Sequence, residues 1–284
     1  MAIRPKTLPA SIAPVVMGTA MAYGDGIHHF PSAALALLAA LLIQIGTNLA
    51  NDYGDFKKGA DTSERIGPVR ITQAGLISPK VICLVTVLIF ILAALVCLWL
   101  VKRGGWPIFV IGILSIASGI FYTAGPRPLG YMGLGELFVL IFFGPVAVAG
   151  TYYVQSLEIN LVVILAGLGP GLLSVALLII NNIRDIAGDR KSGKRTLAVR
   201  LGRGFATNSY LLAVFGACLI PVLLYIIIED HKFILLSSFV GIKAIPSIQR
   251  VYTSMEGPGL NAALAATGRL LLAYSLIFSL GWIL

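Results

Sequence analysis

This chain carries very little charge. Its 284 residues include 12 Asp and Glu and 21 Lys and Arg, together 12%. A soluble fold needs far more charge to cover its surface, so the soluble domains that the length would permit are excluded. Cysteine is equally scarce. Cys83, Cys97 and Cys218 each lie within an apolar run, which excludes a disulfide framework or a zinc site. His28 and His29 share a short outer loop that offers no convincing set of partners for a metal site. The remainder is overwhelmingly apolar, with 58% hydrophobic residues and a mean hydropathy of +0.93. The fold class these figures imply is an all-α polytopic membrane protein.

Apolar windows long enough to cross a bilayer fall at about 8–24, 31–51, 80–101, 106–124, 133–153, 160–182, 207–228, 232–249 and 260–283. Nine transmembrane helices in a single domain, 1–284, are therefore expected. Arg4 and Lys6 precede the first window, and Ala20-Met-Ala22 faintly resembles a signal-peptidase site. Pro9 and Pro14 interrupt that stretch and many spans follow, so it reads as a retained first helix.

Basic residues fix the expected orientation. Sixteen Lys and Arg fall on the side of Arg4 and Lys6, against Lys102, Arg103 and Lys232 on the other. The positive-inside rule puts the sixteen, and the amino terminus, in the cytoplasm, with a bacterial inner membrane as the expected location. The net charge of +9 thus reads as topology signal beside the lipid bilayer, not as a nucleic-acid surface. Self-association into a homo-oligomer is left open.

One stretch occurs twice. Asn48-Leu-Ala-Asn-Asp-Tyr-Gly-Asp55-Phe-Lys-Lys-Gly-Ala-Asp-Thr62 returns 134 positions later as Asn182-Ile-Arg-Asp-Ile-Ala-Gly-Asp189-Arg-Lys-Ser-Gly-Lys-Arg-Thr196. Six of the fifteen positions are identical, which marks a duplicated helix-and-loop unit. Both copies end an apolar run on the basic side, and the segments after them, about 56–79 and 190–206, are expected to be the longest loops. Helical spacing pairs Asn51 with Asp55, Asn48 with Asp52, and Asp185 with Asp189. Acids at a membrane-helix end are costly and mark a function. Carboxylate and amide oxygens from Asn51, Asp52, Asp55, Asp185 and Asp189 suit Mg²⁺ shared with a diphosphate. The nearby cations Arg65, Arg70, Lys194 and Arg195 suit the phosphate oxygens that metal leaves uncovered.

Between the copies, Pro126 and Pro128 bracket Arg127 in an extended turn that aims its guanidinium. Tyr122 ends a span at the interface, where an aromatic is ordinarily a belt residue. Glu136 begins the fifth span and is expected to face a helix amino terminus or to pair with Arg127. Glu229, Asp230 and His231 read as a solvated outer turn, and Arg269 inside the ninth span is unexplained.

These residues resemble the UbiA family of intramembrane aromatic prenyltransferases. The family's two motifs match Asn51-Asp-Tyr-Gly-Asp55 and Asp185-Ile-Ala-Gly-Asp189, and its intervening tyrosine and basic residue map to Tyr122 and Arg127. Arg4-Pro-Lys-Thr-Leu8, Arg65-Ile-Gly-Pro68, Gly125-Pro-Arg-Pro-Leu129, Gly144-Pro-Val-Ala-Val148 and Thr151-Tyr-Tyr-Val-Gln155 further resemble its 1,4-dihydroxy-2-naphthoate branch in menaquinone synthesis. One departure is Gly59, where many members carry a further Asp; the nearest acid is Asp61.

The resemblance implies a Mg²⁺-dependent transfer from a polyprenyl diphosphate to dihydroxynaphthoate, with loss of diphosphate and CO₂. Asp55, Asp189, Tyr122 and Arg127 would take part in the chemistry. Asn48, Lys57, Lys58, Arg65, Arg70, Asn182, Lys194 and Arg195 would surround the substrates. The competing readings are another acceptor, such as 4-hydroxybenzoate, and a solute transporter. Transporters gather their polar residues near the bilayer midplane, whereas these acids sit at helix ends.

Overall fold

A computed structural model describes residues 4–59, 71–255 and 257–284. Its helices are α1 (Pro9–Gly24), α2 (Phe30–Lys57), α3 (Pro79–Phe121), α4 (Gly135–Phe142), α5 (Pro145–Ser156), α6 (Leu161–Lys191), α7 (Leu197–Ile228), α8 (Val240–Thr253) and α9 (Gly257–Ile283). There is no strand among the described residues. Seven helical segments are long and apolar enough to cross a membrane, and the protein is a multi-pass membrane protein. All nine apolar windows fall on helical segments, but not one to one with unbroken helices. Windows three and four are joined in α3, which breaks at Gly105 (φ 64°, ψ −149°), a conformation favourable only to glycine. Window five breaks at Gly144 between α4 and α5, and window eight opens with a short 3₁₀ run, Lys232–Phe239, ahead of α8.

Start signals lie in the sequence. Ser78 Oγ accepts from Val81 N ahead of Pro79, Asn160 Oδ1 accepts from Val163 N, and Thr196 Oγ1 accepts from Val199 N. These are side-chain N-caps, the first reinforced by proline at the opening position. The Thr196 cap corrects one expectation: 190–206 is not a long loop. α6 runs to Lys191 and α7 begins at Leu197, leaving a short turn, and α7 changes direction at Gly202 (φ 85°, ψ 171°).

The duplication is visible in the packing. At the 134-residue offset α1 falls on α5 and α2 on α6, and α2 packs on α3 as α6 packs on α7. α6 is the central helix, also touching α1, α4, α5 and α9. Small residues let backbones meet where lipid offers no hydrophobic drive. A side chain on Gly18 would strike the Val148 carbonyl, and one on Gly167 would strike the Pro145 backbone. Outward faces expose large apolar residues such as Leu84, Leu88, Ile91, Leu212 and Ile226 to the bilayer, with Trp99 and Trp106 near the α3 break.

A polar clasp closes the end away from the repeated motifs. Asp25, just past α1, accepts from Tyr152 Oη (α5) at 2.7 Å and from Trp282 Nε1 (α9) at 3.1 Å. His231 stacks on Trp282 with centroids 4.1 Å apart, so this part of the outer turn is packed, not simply solvated. Asp25→Ala leaves the Tyr152 hydroxyl without its charged acceptor and is expected to cost about 2 kcal/mol. Thermal unfolding in detergent checks this, with Asp25→Asn expected to recover part of the loss.

Candidate active site

The two motif-bearing helices present polar stripes to one cavity. On α2, Gln44, Asn48, Asn51 and Asp55 line it, following the i, i+4, i+7, i+11 spacing of one helical face. On α6, Ser174, Leu178, Asn181, Asn182, Asp185 and Asp189 line the facing wall. The acids lie within the last turns of α2 and α6, not at mid-helix. The cavity holds about 350 Å³. Away from the acids its walls become apolar: Ala36, Ile43, Leu100, Ile108, Val146 and Val154.

Lys194 joins the two copies. Its Nζ lies 2.9 Å from Asp55 Oδ1 and 3.9 Å from Asp189 Oδ1. One ammonium therefore stands between carboxylates from both motifs. Tyr131 Oη donates to the same Asp55 oxygen at 3.1 Å, and its ring lies beneath Lys194 and Lys58 at 4.9 and 4.5 Å. Lys58 donates to the carbonyls of Thr123 and Gly125. Loss of solvation lowers its pKa, Lys194 adds to that, and Asp55 opposes it. Asn51 accepts from Thr123 Oγ1 at 3.0 Å, which fixes its amide.

Tyr122 lines the cavity beside the acids. Burial raises its phenol well above the ordinary range, and the negative charges of Glu136, Asp55 and Asp189 raise it further, with Arg4 opposing.

The other expected site residues are less uniform. Asn182 lines the cavity and donates to Glu136 Oε1 at 2.9 Å. Glu136 is thus engaged by α6 and not by Arg127, which is exposed and off the cavity wall. Asp52 is 1% exposed and does not line the cavity, because one residue beyond Asn51 turns it about 100° around the helix. Lys57 and Arg195 are exposed; the Arg195 backbone N–H, not its guanidinium, reaches in, donating to Tyr131 O. Arg65, Arg70 and Asp61 lie outside the described residues. Arg269 is exposed on α9, next to Gly268, where a side chain would meet the Lys6 carbonyl at 3.4 Å. That places it at the level of the amino-terminal turn, within reach of the interface for a long side chain.

Sequence reasoning missed several lining residues. Gln44 continues the Asn48–Asn51–Asp55 stripe by one turn, so its spacing was a usable signal. Gln44 and Asn48 both donate to Thr7 Oγ1, at 3.4 and 3.3 Å, bringing the segment before α1 to the wall. Tyr131 carried no such signal, because its partner Asp55 is remote in sequence; Arg184 adjoins its partner Asp185, but the Asn261 amide that also holds it is equally remote.

Among the described residues no three His, Cys, Asp or Glu side chains converge as a metal cage. The donors present are carboxylates and amides from two helices. That fits a hard cation whose remaining ligands come from phosphate and water, the usual Mg²⁺ arrangement.

A helical bundle with paired acids and cations at one end of a cavity, and an apolar trough beyond, defines a membrane-embedded site for an amphiphile with an anionic head. The UbiA prenyltransferase family profile matches residues 11–266, and the chain belongs to that family. A protein of Haemophilus influenzae named 1,4-dihydroxy-2-naphthoate octaprenyltransferase is 39% identical, with 98% of this chain and 93% of that one covered. A Mycobacterium tuberculosis protein of the same name is 42% identical over 75% of this chain and 73% of its own. Among solved structures, a UbiA homolog from Archaeoglobus fulgidus bound to DMAPP and Mg²⁺ superposes with a TM-score of 0.66. It is 16% identical, with 98% of this chain and 97% of that one covered. The apo UbiA homolog from Aeropyrum pernix K1 gives 0.70 at 15% identity, covering 95% and 96%.

Proposed function

We propose that this protein transfers a polyprenyl group from its allylic diphosphate to 1,4-dihydroxy-2-naphthoate, the prenylation step of menaquinone synthesis. The observation that carries this is the pairing of Asp55 and Asp189 across one ammonium, at the head of an apolar cavity. It occurs in a chain closely similar, over nearly its full length, to relatives named for that reaction. In this reading the whole chain acts as one domain in the bacterial inner membrane. The motif-bearing ends face the cytoplasm, as the sixteen-to-three distribution of basic residues supports.

The prenyl tail lies along the apolar walls and the diphosphate sits between the two motifs. Asn51, Asp55, Asp185 and Asp189 would hold Mg²⁺, which when bound neutralises charge on the departing diphosphate. Lys194 and Lys58 supply fixed positive charge on the same side. The allylic carbon–oxygen bond breaks toward that charge, and the apolar walls keep water from the resulting cation. Tyr122 presents an electron-rich ring to the same space. The naphthoate carbon that bears the carboxylate forms the new bond, and its carboxyl group departs as CO₂.

The test supplies purified protein with a polyprenyl diphosphate, the naphthoate and Mg²⁺, and measures diphosphate and CO₂. Equal release of the two, abolished by EDTA, is expected. Turnover of 4-hydroxybenzoate with none of the naphthoate would reject the acceptor assignment, and full activity in EDTA would reject the metal.

A further inference from the structure

Arg184 places a permanent positive charge at a membrane-helix end, 7% exposed. Its Nε donates to Asp185 Oδ1 at 2.8 Å and Nη2 donates to Oδ2 at 2.7 Å, a two-pronged grip on the carboxylate. Nη1 donates to Asn261 Oδ1 at 2.8 Å. Asn261 lies on α9, remote from both motifs in sequence. The turn leading into α9 is tied in the same manner, since Arg203 Nη2 donates to the carbonyls of Ser254 and Val251 at 2.5 and 3.3 Å. The position 134 residues before Arg184 is Ala50, so the first motif has no counterpart to this cation.

The grip has two consequences for a cation arriving at Asp185. It occupies one lone pair on each carboxylate oxygen and fixes the orientation of a carboxylate that lines the cavity. It also sets a like charge within a few ångströms of that cation. Among the described charged residues lining the cavity, Arg4, Arg184 and Lys194 match Asp55, Asp185 and Asp189. A divalent cation entering alone at Asp185 therefore meets the adjacent guanidinium charge as well as the carboxylate. A diphosphate arriving with it brings negative charge that offsets the guanidinium.

We propose that Arg184, held by Asn261, is a positioning residue that grips Asp185 and makes divalent-cation binding at the second motif depend on the diphosphate. This rests on the reading of the two motifs as a metal–diphosphate site. It assigns the α9 residue Asn261 a role in that site.

The test titrates Mn²⁺ into the purified full chain in detergent, followed by electron paramagnetic resonance, with and without inorganic pyrophosphate at matched free Mn²⁺. The wild type is expected to bind Mn²⁺ at least about tenfold more tightly with pyrophosphate, and Arg184→Gln about tenfold more tightly than wild type without it. Asn261→Asp guards against misfolding, because it keeps the buried cation and offers it a second carboxylate. It should tighten pyrophosphate-free binding in the same direction at an unchanged thermal midpoint. A purely structural role for the pair would leave Mn²⁺ affinity where it was, and unchanged affinity in both variants overturns the proposal. Wild type that binds no Mn²⁺ even with pyrophosphate overturns the metal reading and this inference together. Failure to prenylate the naphthoate bears only on the acceptor and leaves the titration to decide.

Discussion

Asp189→Ala is expected to lower diphosphate release by about three orders of magnitude, and Asp55→Ala by a similar factor. The two carboxylates come from different copies of the repeat, yet both face one ammonium, at 2.9 and 3.9 Å from Lys194 Nζ. Each is thus a donor to any metal shared with the diphosphate and also a counter-charge that holds Lys194 in place. Removing either loses both contributions at the point where charge develops. Because the two act as a unit, the double variant should be scarcely worse than either single one. Asp52→Asn supplies the contrast. That carboxylate sits off the cavity wall, so its loss should leave the rate within about tenfold while lowering stability, as for other buried polar groups. Rates with a polyprenyl diphosphate at saturating Mg²⁺ decide the matter. An Asp189→Ala protein that keeps more than about a tenth of wild-type activity would sink the shared-charge account, given that one such donor is ordinarily worth a hundredfold or more.

The contrast between Asp55 and Asp52 also measures how much was legible in advance. Periodicity is local, so it found the helices, the paired ends and the stripe that carries Asn51 and Asp55. It also grouped Asp52 with Asn48, and those two share a flank of α2 without both reaching the cavity. Which flank faces inward is set by α3, α1 and α5, whose contacts no short spacing encodes. Arg127 stands off the cavity wall for a related reason. Two flanking prolines stiffen its turn, but stiffness does not choose a direction, and the side chain is exposed. Tyr131, a few residues further along the same segment, is the one that reaches Asp55. The long loop expected over 190–206 disappeared because Thr196 caps a helix whose first turns are basic. Basic composition was read there as loop, when it marks the end of a span that projects beyond the apolar layer.

Divergence between the copies follows a simple electrostatic logic. The positions of Arg184 and Lys194 correspond, 134 residues earlier, to Ala50 and Ala60. Among the described residues the second copy therefore provides the ion-pair partners of both acidic groups, Arg184 for Asp185 and Lys194 for Asp55 and Asp189. A symmetric site would carry like charges on both walls and repel itself when empty. Buried carboxylates without such partners are costly, and these ion pairs hold Asp55, Asp185 and Asp189 in place.

The apolar half of the cavity yields the second large effect. From Tyr122 at the acidic end to Ile108 near the α3 break is fourteen residues of helix, about 21 Å. The deep walls are lined by Leu100, Ile108, Val154 and Gly150. A side chain built on Gly150 would touch only Ile111, at 3.6 Å, an ordinary contact. Gly150→Phe should therefore fold and project its ring into the trough. Turnover of a long polyprenyl diphosphate is expected to fall by about a hundredfold, since the displaced tail pulls the reacting carbon out of line. A five-carbon dimethylallyl diphosphate never reaches that depth, so its turnover should stay within about threefold. The ratio of the two rates is the measurement, and it is insensitive to partial loss of active protein. If both substrates decline together, the tail does not run along α5. If neither declines, the chain leaves the bundle above Gly150, and the trough below it plays no part in setting prenyl length.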